Sequence, residues 1–116
     1  MKEVYKEERP WGGFEQFTHN EISTVKILTI QEGEQPSVQL HHKREELWKV
    51  IQGQGKVLVG DTWKDVAVGD EIFLPKETIH TVTGVGGKIK VLEISFGDFD
   101  ENDIERLEDK YGRADK

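Results

Sequence analysis

Four side chains in two short stretches could share one metal ion. The first stretch, Gly33 to Gly53, reads GEQPSVQLHHKREELWKVIQG and carries Gln39, His41 and Glu46. The second, Gly69 to His80, reads GDEIFLPKETIH and ends on His80. Two imidazoles with a carboxylate and an amide oxygen suit one divalent first-row metal. Zn is the first candidate, and Mn, Fe, Co or Ni accept the same nitrogen and oxygen donors. Gln39 and His41 are two apart, so a strand places them on one face. Glu46 lies beyond the turn-like HKRE segment, and a hairpin-like return brings it back toward that face. The bland reading of any single His here is a surface or hydrogen-bonded core residue. The joint spacing is what favours a site.

The elements that must position these donors are short and extended. Ile22–Ile30, Leu47–Ile51, Lys56–Val59, Thr62–Val66, Glu71–Leu74, Ile79–Thr83 and Lys88–Ser95 are rich in β-branched and apolar residues. They are separated by Gly33, Gly53, Gly55, Gly60-Asp61, Gly69-Asp70, Pro75, Gly84 and Gly86-Gly87. Many short strands with close turn signals predict an all-β sandwich or barrel. Gly60-Asp61 reads as a tight hairpin turn. Near the end, Asp100 is a candidate cap, Glu101 and Asp103 suit a first helical turn, and Ile104 and Leu107 are spaced i, i+3. These predict a short C-terminal helix stopping near Gly112, with a frayed ADK after it.

Composition bounds the rest. The 116 residues suffice for one compact domain, 1–116, and show no linker or repeat. Lys+Arg number 16 against 23 Asp+Glu, a net charge of −7, which argues against nucleic-acid and anionic-membrane partners. A local basic pocket for a small phosphorylated ligand remains compatible with that balance. There is no cysteine, so thiolate ligands and disulfides are excluded. The amino terminus, MKEVYKEERPWGG, has no apolar signal-like core, and no apolar run is long enough to span a bilayer. The expectation is a cytoplasmic, soluble protein.

The two stretches resemble the paired motifs of the cupins. Gly33 is followed after five residues by Gln39, then His41, then after four residues Glu46 and after six Gly53. In the second, Gly69, Pro75 and His80 fall in register, with Glu77 where the motif has an internal Gly and Gly84 where it has Asn. A narrower resemblance follows. SVQLHHKREELW is similar to the signature of type II mannose-6-phosphate isomerases, and RPWGGFE and GDFDENDIERLEDKYGR match the same family, from Arg9 to Arg113. Lys43 and Leu47 stand where that signature has histidines.

The resemblance implies a cupin, jelly-roll-like β-barrel with Gln39, His41, Glu46 and His80 as metal ligands. It implies a stand-alone domain, without the guanylyltransferase half, converting mannose 6-phosphate to fructose 6-phosphate, and a homodimer. In such an isomerase the metal polarises the carbonyl, a general base moves the proton, and a cation grips the sugar phosphate. Arg44 is the candidate for the phosphate, since a guanidinium fork suits it; a solvated turn charge is its other reading. Glu93, within the apolar VLEISF, is either the base or an ion-paired barrel residue. A non-catalytic metal cupin that binds a sugar, and a metal-dependent oxygenase, are the other functional classes. Lys49 reads as an edge-strand charge or a substrate contact, His42 as facing away from the ligands and His19 as loop. Trp11, Phe14 and Trp48 read as core, with a sugar-stacking platform as their other reading.

Overall fold

The computed structural model describes residues 3–108 and, within them, contains strands and turns only. Eleven strands run in chain order: β1 Tyr5–Arg9, β2 Gly12–Gln16, β3 Ser23–Ile30, β4 Val38–Leu40, β5 Glu45–Gln52, β6 Gln54–Val59, β7 Thr62–Ala67, β8 Glu71–Leu74, β9 His80–Gly84, β10 Ile89–Phe96 and β11 Glu105–Glu108. They form a four-stranded sheet in the order β3-β10-β5-β8, a five-stranded sheet in the order β11-β4-β9-β6-β7, and a β1-β2 hairpin. All named pairings are antiparallel. The all-β cupin expectation holds in this arrangement of two facing sheets.

Strand period two explains the core. On β10, Ile89 and Val91 point inward; on β5, Trp48 and Val50; on β6, Val57; on β9, Val82. With Ile30, Val66, Ile72 and Leu74 they close one apolar cluster between the sheets. The opposite face of the four-stranded sheet carries Leu47, Ile94 and Phe96, covered in part by Val4 and Phe17 from the segments flanking the hairpin. Trp48 is core as expected, whereas Trp11 sits at the β1-β2 turn and is 72% exposed, correcting its reading as core.

The β6-β7 turn falls at Gly60-Asp61, and Gly60 has φ 67°, a left-handed conformation that a residue with a Cβ resists. The expected C-terminal helix is not seen. Asp100 does cap one turn, accepting from Asn102 N at 2.9 Å through Oδ1 and from Asp103 N at 3.0 Å through its carbonyl. The chain then straightens into β11, where Glu105 and Arg106 lie opposite Leu40 and Gln39 of β4. Pairing the free edge of β4 satisfies backbone groups that a one-turn helix would leave to solvent. Gly112 and the final ADK lie outside the described residues. No helix among the described residues is long and apolar enough to cross a membrane.

Candidate metal centre

Antiparallel register gathers the site. Directly opposite residues share a face, so Ser95 meets Glu46 and Glu93 meets Trp48 across β10-β5, while Gln39 meets His80 across β4-β9. His41 follows β4 immediately. His41, Glu46 and His80 are all buried, and one potential ligand atom from each lies within 4.8 Å of the other two. His41 Nε2 is 3.7 Å from Glu46 Oε2, and His80 Nε2 is 3.9 Å from Glu46 Oε1. Metal–nitrogen bonds of about 2.1 Å at tetrahedral angles require donors about 3.4 Å apart, so closure needs movements of a few tenths of an ångström for these pairs.

The outer partners fix which atoms face inward. His41 Nδ1–H donates to the Asp103 carbonyl at 2.6 Å, and His80 Nδ1–H donates to the Thr78 carbonyl at 2.9 Å. Both rings therefore present Nε2 as a lone pair toward Glu46, the orientation metal-binding histidines adopt. Burial holds both imidazoles below their usual pKa, so they are neutral and ready to coordinate. His80 Nε2 is buried without a hydrogen-bond partner. A buried lone pair left unmatched is costly, and a metal would satisfy it. The donor chemistry and this orphan nitrogen fit a divalent ion.

Glu46 is held by three donors: Trp48 Nε1–H at 3.1 Å to Oε1, and Arg44 Nε–H at 2.8 Å and Ser95 Oγ–H at 3.3 Å to Oε2. Burial would raise its carboxyl, but the Arg44 hydrogen bond and the surrounding charges outweigh it and keep the group an anion. Gln39 lines the same cavity, and its Oε1 accepts from Ser37 Oγ at 2.6 Å. Three of the four expected donors thus converge, with Gln39 beside them.

Arg44 is not a solvated turn charge. It is buried, pairs with Glu46, donates from Nη1 to the Asp100 carbonyl at 3.2 Å, and stacks its Cζ 4.4 Å from the Phe99 centroid. Glu93 is buried on the cavity wall with its carboxyl pushed up to about 7, first by burial and then by the Glu46 charge. Lys26, opposite it on β3, sends its ammonium to Glu101 at 3.1 Å. His42 faces away, as expected, and its ring lies between Glu77 and Glu105, at 3.0 Å from each. His19 is in an exposed loop. Lys49 is on an inner strand of its sheet, not an edge, and pairs with Glu15 and, at 3.5 Å, Glu71. The cavity holds about 400 Å³, within the roughly 300–1,000 Å³ of small-molecule sites. Its cations are Lys26 and Arg44.

Sequence reasoning missed Asp103, Trp48 and Ser95 as supports, Lys26 as a cavity group, and Phe99 as the ring against both cavity cations. The inward alternation of Glu46 with Trp48 was the one local signal for the indole. The others arrive only through tertiary pairing.

The family described as mannose-6-phosphate isomerase C-terminal matches residues 1–109. The mannose-1-phosphate guanylyltransferase ManC of Salmonella typhimurium is 34% identical over 115 residues, covering 97% of this chain and 23% of that protein. The alginate biosynthesis protein AlgA of Pseudomonas aeruginosa is 34% identical over 114 residues, again covering 97% and 23%. A cupin protein from Bacteroides fragilis superposes with a TM-score of 0.60 at 18% identity, covering 67% of this chain and 70% of that one, a likeness of fold. These findings correct the expectation of a stand-alone isomerase converting mannose 6-phosphate to fructose 6-phosphate. The curated relatives carry guanylyltransferase and polysaccharide-biosynthesis names, and this chain spans 23% of the length of each of the two relatives named here.

Proposed function

We propose, from the premise that this chain belongs to the mannose-6-phosphate isomerase C-terminal family, that it is a metal-centred domain of a mannose-phosphate enzyme and binds a phosphorylated sugar of the mannose series. The observation that carries this reading is the buried, unpartnered Nε2 of His80, facing Glu46 beside the inward lone pair of His41. His41, Glu46 and His80 would hold one divalent ion, with Zn, Mn, Fe, Co and Ni as candidates and Gln39 as an adjoining oxygen donor. When bound, the metal supplies a Lewis acid for a sugar oxygen. The phosphate finds two cations on the cavity wall, Lys26 and Arg44, in an otherwise acidic chain. Glu93 lies on the same wall, where its protonated form can donate a hydrogen bond to a sugar oxygen.

Elemental analysis after dialysis against each metal, then calorimetric titration with mannose 1-phosphate, mannose 6-phosphate and mannose, tests the reading. The expected result is one metal per chain. The phosphorylated sugars should bind at least about tenfold more tightly than mannose, the effect of one charge-assisted contact of about 1.5 kcal/mol. Protein that takes up no metal, or that binds mannose as well as its phosphates, would sink the proposal.

A further inference from the structure

We propose that Arg44 is an exchangeable internal cation: it occupies the Glu46–His41 edge of the site, yields that edge to an entering metal, and turns its fork to an anionic ligand. The inference rests on the metal reading above and adds a control to that site.

Three contacts carry it. Arg44 Nε–H donates to Glu46 Oε2 at 2.8 Å, and Nη2–H points at His41 Nε2 at 3.3 Å. Both acceptors belong to the trio whose ligand atoms lie within 4.8 Å of one another. The His41 Nε2 lone pair is the one that ring has left, because Nδ1–H is committed to the Asp103 carbonyl. One lone pair cannot serve both a guanidinium N–H and a metal. A dication bonded to Glu46 also repels a guanidinium on the same carboxylate, in a setting where solvent screening is weak. The asymmetry of the trio agrees: His80 Nε2, out of reach of the fork, is the orphan, while His41 Nε2 is served.

The fork has a second face to turn to. Arg44 lines the cavity together with Lys26, and the Phe99 ring lies against both cations, 4.4 Å from Arg44 Cζ and 4.1 Å from Lys26 Nζ. Phe99 belongs to the Gly97–Asp103 strap, which also supplies the Asp100 carbonyl to Nη1 and Glu101 to Lys26. Gly97, at φ 90° with nothing within 4 Å of where its Cβ would stand, begins this strap. A guanidinium released from Glu46 therefore stays at the cavity wall, where a phosphate oxygen can take its freed N–H groups. Metal and anion then help each other, and linkage makes the effect reciprocal.

The test is calorimetric titration of metal-stripped protein with Mn²⁺, with and without inorganic phosphate. Wild type, Arg44→Met and Phe99→Ala are compared, with melting curves taken for each. Removing the competing cation should tighten Mn²⁺ binding by about tenfold or more in Arg44→Met, the equivalent of one charge-assisted hydrogen bond. Phe99→Ala, which touches no ligand, removes the cover that holds the guanidinium and should tighten binding a few-fold. Phosphate should tighten Mn²⁺ binding in wild type and leave Arg44→Met unchanged. If wild type binds Mn²⁺ and Arg44→Met binds it equally or more weakly, the exchange is wrong while the metal site stands. If neither binds Mn²⁺, the metal reading itself fails and takes this inference with it. Should Arg44→Met not fold, Phe99→Ala decides: affinity no tighter than wild type overturns the proposal.

Discussion

The inner faces of β5, β9 and β10 change character along their length. In one half of the barrel Val50, Val82, Ile89 and Val91 are fully buried and purely apolar. In the other half the same strands, at the same two-residue period, bury Glu46, His80, Glu93 and Ser95. The backbone does not distinguish the halves; side-chain chemistry does. Burying a Val or Ile side chain contributes about 1.5–3 kcal/mol each. Burying carboxylates and imidazoles costs free energy that their partners only offset. One half holds the barrel closed, and the other is retained at a cost, which points to a role in function.

That contrast breaks most visibly at His80. His80→Ala should abolish stoichiometric metal uptake, with affinity falling beyond the ten- to hundredfold that loss of a mere outer partner costs. The metal-free variant should also lose stability, because the buried ring takes with it the Nδ1–H hydrogen bond to the Thr78 carbonyl and its packing against Trp48, so metal uptake is scored per folded chain. Retained uptake in elemental analysis would remove His80 from the ligand set. The mirror change is Ile89→Ala in the apolar half. It should destabilise by about 2–5 kcal/mol through lost burial and a residual cavity, leaving metal stoichiometry at wild type in whatever fraction folds. Urea unfolding reads the first effect and elemental analysis the second; a milder loss would mean that the apolar half is not the stabilising one.

How far the two halves were legible follows from the same contrast. Seven strands stood out because β-branched runs between glycines carry a local signal, and the trio His41, Glu46 and His80 stood out by spacing. β1 and β2 did not, since KEER and GGFEQ are too polar and Gly-rich to read as strands. The turn and strand at Asp100–Glu108 were misread because their capping residues favour a helix locally, whereas β4 offers an edge to pair with. Asp103 reaches His41 from 62 residues away, and Ser95 reaches Glu46 from 49. No spacing in one sequence announces such partners. Arg44 was visible as a cation, but its burial against Glu46 is a product of the fold.

The pH response sharpens the comparison within the polar half. Glu93 has its carboxyl raised from 4.5 to about 7, by burial first and the Glu46 charge second. The folded state therefore holds a proton that the unfolded chain releases. This contribution is fully present below about pH 4.5 and is lost as pH rises through about 7. Glu93→Gln removes the penalty of ionising it, so at pH 8 the variant should be more stable than wild type by up to about 3 kcal/mol, with the gain shrinking toward pH 5. His41 and His80 act in the opposite sense. Their pKa values are lowered by burial, so the unfolded state binds more protons as pH falls below about 6.5 and stability falls with it. Melting curves of both proteins across pH 5 to 8 separate the two; a Glu93→Gln gain that does not vary with pH would show that Glu93 is ionised throughout.

The smallest effect tests the loop that serves the site at the polar end of the barrel, between Leu74 of β8, opposite Glu46, and His80 of β9. Glu77 sits between β8 and β9, and its φ of 62° is a left-handed conformation where the cupin motif has Gly. The strain is useful, because Glu77 N–H donates to the His41 carbonyl at 2.7 Å and so braces a ligand. The side chain adds an exposed, solvent-screened pair with His42 at 3.0 Å. Glu77→Ala keeps the strain and loses the pair. Glu77→Gly loses the pair as well but relieves about 1–2 kcal/mol of left-handed cost, less the roughly 0.5–1 kcal/mol that a freer unfolded chain takes back. The Gly variant should therefore exceed the Ala variant in stability by up to about 1.5 kcal/mol, while both keep wild-type metal stoichiometry. Equal stabilities in urea unfolding would mean that the left-handed conformation carries no more strain than the freer unfolded chain of the Gly variant takes back, and a Gly variant less stable than the Ala variant would mean that Glu77 is not strained.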